Sequence, residues 1–287
     1  MIAVLKHELR LYFQSFTAYV FGAFLLVTVG IGAMLYNLQA AVSNFEYVLS
    51  FSGLVFAVIV PILTMRVIAE ERKQKTDQLL YSLPLSTTQV VLGKYLALLL
   101  VYLLPLGVIC VYPLIFARYG DVYLPTSYGS LFAFFLMGGA LLAVGMFLSS
   151  LTDNQGFAAG MGIAVIALNY FSVSLAEYAT ATALGSAIAL MVLSALVGLL
   201  IRHLTRSDNL GYGVGLGLMA VTTGLFLLDS SAFEGLLPDI MKKLSLFDRL
   251  ETFVNGVFDI TGVVYFLSVG AFFLFLTVQS LEKRRYN

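Results

Sequence analysis

The chain has 287 residues, of which 60% are apolar and only 11% charged, against roughly 25% charged and 45–50% apolar in soluble globular chains. A single core of this size cannot hide so much apolar surface, so a soluble enzyme is excluded. The charges fall in short clusters between apolar runs of about twenty residues, the length that crosses a bilayer as a helix. Strands of an outer-membrane barrel would alternate polar and apolar residues, and stretches such as 96–117 and 265–278 do not. The expected fold class is all-α, a polytopic transmembrane helix bundle forming a single domain over 1–287.

In chain order, residues 1–16 predict an interfacial helix: Ile2, Leu5, Leu9, Tyr12, Phe13 and Phe16 form one stripe, with Lys6, Arg10 and Gln14 along another. A cleaved signal peptide is disfavoured, because the span that follows is of full membrane length and ends without a small-residue cleavage site. Eight spans are expected, at 17–37, 48–69, 90–117, 129–151, 155–176, 181–202, 209–228 and 261–281. Capping boxes at Ser43–Glu46, Ser86–Gln89 and Thr152–Gln155 sit before three of them, and a fourth at Ser231–Glu234 opens an amphipathic segment at 229–260. There Leu237, Ile240, Leu244, Phe247, Leu250, Val254 and Val257 recur every three or four positions, as in one or two helices on the outer surface or folded into the outer mouth of the bundle.

The net charge of zero conceals an asymmetry. With eight spans, twelve of the sixteen Lys and Arg lie on the side of the N-terminus, and only Arg118, Lys242, Lys243 and Arg249 lie opposite. Set against seven and nine acidic residues, this gives +5 on one side and −5 on the other. The positive-inside rule then places both termini in the cytoplasm, in a bacterial-type cytoplasmic membrane. No basic patch with interleaved aromatics points to nucleic acid. One cysteine, Cys110, and two histidines, His7 and His203, offer neither a disulfide nor a metal centre.

The densest charge cluster is Met65–Lys94, MRVIAEERKQKTDQLLYSLPLSTTQVVLGK. A plain connection needs only a handful of residues, whereas this loop at 70–89 has room for a short helix. Thr76 can cap it, Asp77 favours its N-terminus, Leu79, Leu80 and Leu83 give an apolar side, and Pro84 marks its end. Gly93–Lys94 is not a phosphate-binding loop: Tyr95 follows it and no suitably spaced glycine precedes it. The alternative reading of the charges is that they only anchor topology.

The run M-R-x-x-A-E-E-R-x-x-x-T-x-x-L-L-x-x-P at Met65–Pro84, with Gly93–Lys94 and the basic N-terminal helix, resembles permease subunits of the ABC-2 class of ATP-binding-cassette transporters. Within that class it is similar to the gliding-motility-associated permeases, as is the run from Ser245 to Ser268. Residues 1–117 and 239–285 carry the likeness best. The middle departs from it, because 154–228 supplies three spans where the common six-span pattern has one.

The resemblance implies a membrane subunit that binds a cytoplasmic ABC ATPase and pairs with a second permease copy or a homologous permease. Lipids surround it, and an extracytoplasmic accessory protein is a further implied partner. ATP and Mg belong to the ATPase, so this chain is expected to hold no cofactor, no metal and no catalytic residue. Carried over, Glu70, Glu71 and Arg72 form the polar neck of the second span, while Thr76, Asp77, Leu79, Leu80 and Leu83 belong to the docking helix. Asn37, Asn169, Ser172 and Ser174 are candidates for lining a pathway, although bonds to neighbouring helices explain each as well. The small-residue positions Gly156, Gly160, Gly211, Gly213, Gly215 and Gly217 suit close helix packing. Two other classes are weighed. An ion-driven secondary transporter favours broken helices and midplane ionisable groups, and an integral membrane enzyme needs a reactive constellation near one face; neither signal is clear.

Overall fold

The computed structural model describes residues 1–76, 86–179, 182–205 and 207–285. Among these the elements are helical: α1 Ile2–Gln14, α2 Phe16–Gly32 running into a π-helical turn Ala33–Gln39, α3 Glu46–Thr64, α4 Ala69–Gln74, α5 Thr87–Ile109, α6 Tyr112–Phe116 and α7 Leu124–Leu151. Then come α8 Gln155–Tyr178, α9 Ala183–Thr205, α10 Asp208–Leu228, a 3-10 turn Ser231–Phe233, α11 Leu236–Lys243, α12 Leu246–Val254 and α13 Ile260–Arg285. Seven of the described helices are long and apolar enough to cross a membrane. The expected span at 181–202 is α9, whose apolar part, Ala183–Leu199, is shorter.

The chain divides into two compact units, Met1–Tyr170 with Leu246–Asn287, and Phe171–Ser245. In the first, α7 is the axis, packed by α3, α5, α12 and α13. Its apolar window is 78% buried, the most of any span, so this helix sees protein and its neighbours see lipid. Phe56 and Phe134 meet at 4.8 Å between ring centres, Tyr102 lies 5.5 Å from Phe56, and its hydroxyl donates to the Phe134 carbonyl at 2.9 Å. That bond satisfies a buried polar group and fixes the relative height of α5 and α7.

Helix starts follow local chemistry. Ser86 Oγ accepts from the Gln89 amide at 3.3 Å, as the expected capping box requires. The other three boxes are corrected. Before α8 the cap is Asn154, whose Oδ1 accepts from Gly156 and Phe157 at 2.9 and 3.3 Å, because Thr152 lies too far upstream and bonds the Asn154 amide instead. Ser43 caps nothing, since α3 starts from a helical Phe45, and Glu46 turns inward to accept the Ser127 hydroxyl at 2.7 Å. Ser231 is itself bonded to Asp229, and α11 begins only after Gly235, whose φ of +72° suits glycine. The last span has a cap that the sequence reading missed: Asp259 accepts from the Thr261 and Gly262 amides at 2.9 and 3.0 Å.

The amphipathic segment becomes two helices. Of these α12 turns Leu246, Phe247, Leu250, Phe253 and Val254 inward against α3 and α7, while Val257 is exposed. In the second unit α9 and α10 form a hairpin. A Cβ on Gly198 would stand 2.7 Å from the Gly215 Cα and 2.9 Å from the Gly211 carbonyl, so only hydrogen fits. Gly160, Gly213 and Gly217 face open space and Gly156 meets only its cap residue Asn154, so of the six expected small-residue positions Gly211 and Gly215 are the two used in helix packing. At one end of the hairpin Arg202 pairs with Asp208 at 2.6 Å; at the other the Leu237 amide donates to Ser186 Oγ at 3.4 Å.

Candidate functional site: a buried charge cluster at the neck of the second span

Lys94 lies eight residues into α5, where its side chain is 2% exposed. A lone ammonium there would be very costly, so it must have partners. Its Nζ donates to Glu8 Oε1 at 2.6 Å, to Glu71 Oε1 at 2.6 Å and to the Val67 carbonyl at 3.2 Å. Three acceptors for three ammonium protons is full satisfaction. The bonds tie together α1, α4 and α5, and one of them reaches the turn between α3 and α4.

Close approach makes this geometry attainable. At Gly93 a Cβ would come within 3.0 Å of Val4 Cβ and Cγ1 and 3.2 Å of the Met1 carbonyl, so glycine lets α1 lie against α5. The face of α1 that packs on protein is distinct from most of its apolar stripe. The buried face is Val4, Glu8 and Tyr12, while Ile2, Phe13 and Phe16 are exposed. The reason is that α1 packs on a helix presenting a buried cation and must bring a carboxylate to it. Tyr12, one turn beyond Glu8, has its phenol pushed well above the usual value by burial and then by the negative charges of Glu8, Glu71 and Glu70. It therefore stays neutral, in keeping with two carboxylates against one ammonium.

The neck helix α4 is anchored at both ends. Its cap residue, Ile68, has no polar side chain, and the cap comes instead from α7: Ser149 Oγ, fully buried, accepts from the Ile68 and Ala69 amides at 3.3 and 3.1 Å and donates to the Met65 carbonyl at 3.0 Å. At its other end Lys75 adopts a left-handed conformation with φ of +57°, and the amides of Lys75 and Thr76 fold back on Arg72 and Glu71. The Thr76 hydroxyl also donates to the Glu71 carbonyl at 3.2 Å.

Of the residues expected at the neck, Glu71 joins the cluster and Arg72 is buried. Glu70 is more exposed, receives a hydrogen bond from Gln74 at 3.3 Å and lies 3.9 Å from Arg66. Asp77, Leu79, Leu80, Leu83 and Pro84 lie outside the described residues. Lys94, counted from sequence only among the basic residues on the side of the N-terminus, is the centre of the cluster; its place inside the expected span 90–117 was the signal. Glu8 and Ser149 had no signal of comparable strength.

The candidate pathway residues are not gathered at this site. Asn37 donates to the Val42 and Asn44 carbonyls at 2.7 and 3.4 Å and shapes the turn after the first span. Asn169 accepts from the Leu246 amide at 2.9 Å and so holds the start of α12. Ser172 is half-buried and Ser174 exposed, both further along α8.

Residues 34–281 match the family described as ABC-2 family transporter protein. The chain belongs to that family. The match takes in α3 to α12, most of α13 and the cluster's Glu71 and Lys94. This ABC-2 chain is a multi-pass membrane protein and a membrane-spanning permease subunit. No curated protein matches it. The stretch at 154–228, which departs from the common six-span pattern, forms α8, α9 and α10, of which α9 and α10 lie wholly in the second unit.

Proposed function

We propose that this permease subunit works as one of a pair driven by separate cytoplasmic ABC ATPases, and that it exports a substrate or performs work on an extracytoplasmic partner. In this reading the end of the bundle bearing Lys94 faces the cytoplasm, and both termini lie there. The segment from Thr76 to Leu83 docks on the ATPase and receives its movement.

The observation that carries the reading is the joining of α1, α4 and α5 through one buried ammonium. A push on the loop between α4 and α5 acts on both of its ends. Because α4 is held to α5 by Lys94 and to α7 by Ser149, a displacement there moves the ends of three packed helices instead of bending a slack connection. At an effective dielectric of about 20, each contact at 2.6 Å supplies about 6 kcal/mol of attraction before desolvation, and parting the joint would leave a buried charge unpaired, which is what holds the three helices together.

The test is co-reconstitution with the partner ATPase in liposomes. ATP hydrolysis stimulated by the permease is expected, and scrambling 76–83 should abolish it while membrane insertion and yield are retained. Coupled hydrolysis that persists after scrambling sinks the docking assignment. A permease that gives substrate transport on an ion gradient without any ATPase sinks the whole reading.

A further inference from the structure

At the opposite end of the first unit is a second buried charge that the coupling reading does not use. Glu46, the first residue of α3, is 2% exposed. Its Oε1 accepts the Ser127 hydroxyl at 2.7 Å, but Oε2 is buried and has no hydrogen-bond partner. A buried carboxylate oxygen without a donor is costly and calls for an explanation. Among the described residues no basic side chain pairs with it.

Glu46 lines a cavity of about 340 Å³ that opens between the turn before α3, the turn before α7 and the end of α12. Asp121, Asn44 and Asn255 are at its exposed rim, together with Tyr47 and Tyr123. No lysine, arginine or histidine lines it. Two carboxylates exclude an anion. The volume is about ten times the ~30 Å³ share of one water and falls at the small end of pockets that take organic molecules, so it exceeds what a bare metal ion needs. Aromatic rings beside carboxylates are the setting in which an alkylammonium is favoured, by ion pairing and by cation–π attraction.

We propose that this pocket binds an organic ammonium group, with Glu46 Oε2 as the buried acceptor and Asp121 as the second charge at the rim. The amine comes either from a small soluble amine or from an aminophospholipid headgroup, since the cavity is at the end of spans α3 and α7. Neither carboxylate takes part in the Lys94 cluster, so this proposal stands or falls apart from the coupling reading.

The experiment is isothermal titration of the full-length chain, purified in an aminolipid-free maltoside detergent. The probes are ethanolamine hydrochloride, the neutral 1,2-ethanediol, short-chain phosphatidylethanolamine in mixed micelles against phosphatidylglycerol, and calcium chloride. Saturable binding of an amine probe is expected, weakened about tenfold or more by both Glu46→Gln and Asp121→Asn, with no binding of the diol. Binding of ethanolamine points to a soluble source. Binding of phosphatidylethanolamine alone, with the same dependence on both variants, points to the lipid. The proposal is overturned if neither amine binds, if both variants bind as tightly as wild type, or if calcium alone occupies the site. Asp121 is exposed, so Asp121→Asn keeps the test decisive even where Glu46→Gln lowers the yield.

Discussion

Replacing Lys94 by Met keeps the length of the side chain and removes the charge. Glu8 and Glu71 each have an oxygen 2.6 Å from the same nitrogen, so those oxygens are no more than about 5 Å apart. Without the ammonium they repel by about 3 kcal/mol at an effective dielectric of about 20. That agrees with the roughly 3–5 kcal/mol lost when one partner is removed from a buried ion pair. For a chain of this size, whose unfolding entropy is about 0.6 kcal/mol/K, the loss corresponds to a fall of about 5–8 °C in the unfolding midpoint. The assay is thermal unfolding in detergent with a fluorogenic maleimide, which reads Cys110, the single cysteine and one only partly accessible in the folded state. The triple variant Lys94→Met, Glu8→Gln, Glu71→Gln removes the charges together and should recover most of the loss, because a buried ion cluster as a whole contributes little over neutral replacements. A Lys94→Met midpoint within about 2 °C of wild type, or a triple variant no more stable than the single one, refutes the reasoning.

Three further outcomes follow from the geometry. Ser149→Ala leaves the buried Ile68 and Ala69 amides without their acceptor and should cost about 1–3 kcal/mol, with faster hydrogen exchange confined to α4 and its flanks; unchanged exchange there would show that α4 is held by something else. Gly93→Val forces side-chain carbon into Val4 and the Met1 carbonyl, so α1 should detach, and limited proteolysis should release the first residues while the remaining bundle stays intact. The Asp259 carboxyl is held below the usual carboxylate range, first by the Thr261 hydroxyl, then by the Thr261 and Gly262 amides and by Arg249. Because its folded value is the lower one, the stabilisation is complete above the unfolded value of about 4 and disappears as pH falls through the folded value. The midpoint difference between wild type and Asp259→Ala should therefore be present at pH 6 and shrink in acid; a difference that grows in acid would contradict the cap.

Much of the architecture could be read from residues alone. Apolar runs of membrane length locate the helices, because a bilayer demands internal satisfaction of every backbone bond over a fixed thickness. Ser86 was legible as a cap since its acceptor and donor are three residues apart. The boxes at Ser43 and Ser231 failed because the same residue types serve elsewhere: Glu46 bonds Ser127 eighty-one positions away, and Ser231 bonds Asp229. The cap of α4 was not legible at all, since its acceptor is on α7, eighty residues from Ala69.

Composition and periodicity thus determined by themselves that the chain is a polytopic helical membrane protein and singled out the loop after the second span, whose run at Met65–Pro84 carried the resemblance to ABC-2 permeases. Only the tertiary structure decided what the charges near that loop do. In sequence Lys94 is one basic residue among sixteen, and Glu8 one acidic residue on an amphipathic helix. A buried charge is tolerable only where partners converge, and the partners here are 86 and 23 positions away. Such convergence depends on which helix faces which, a property of packing to which no local pattern in the chain gives access.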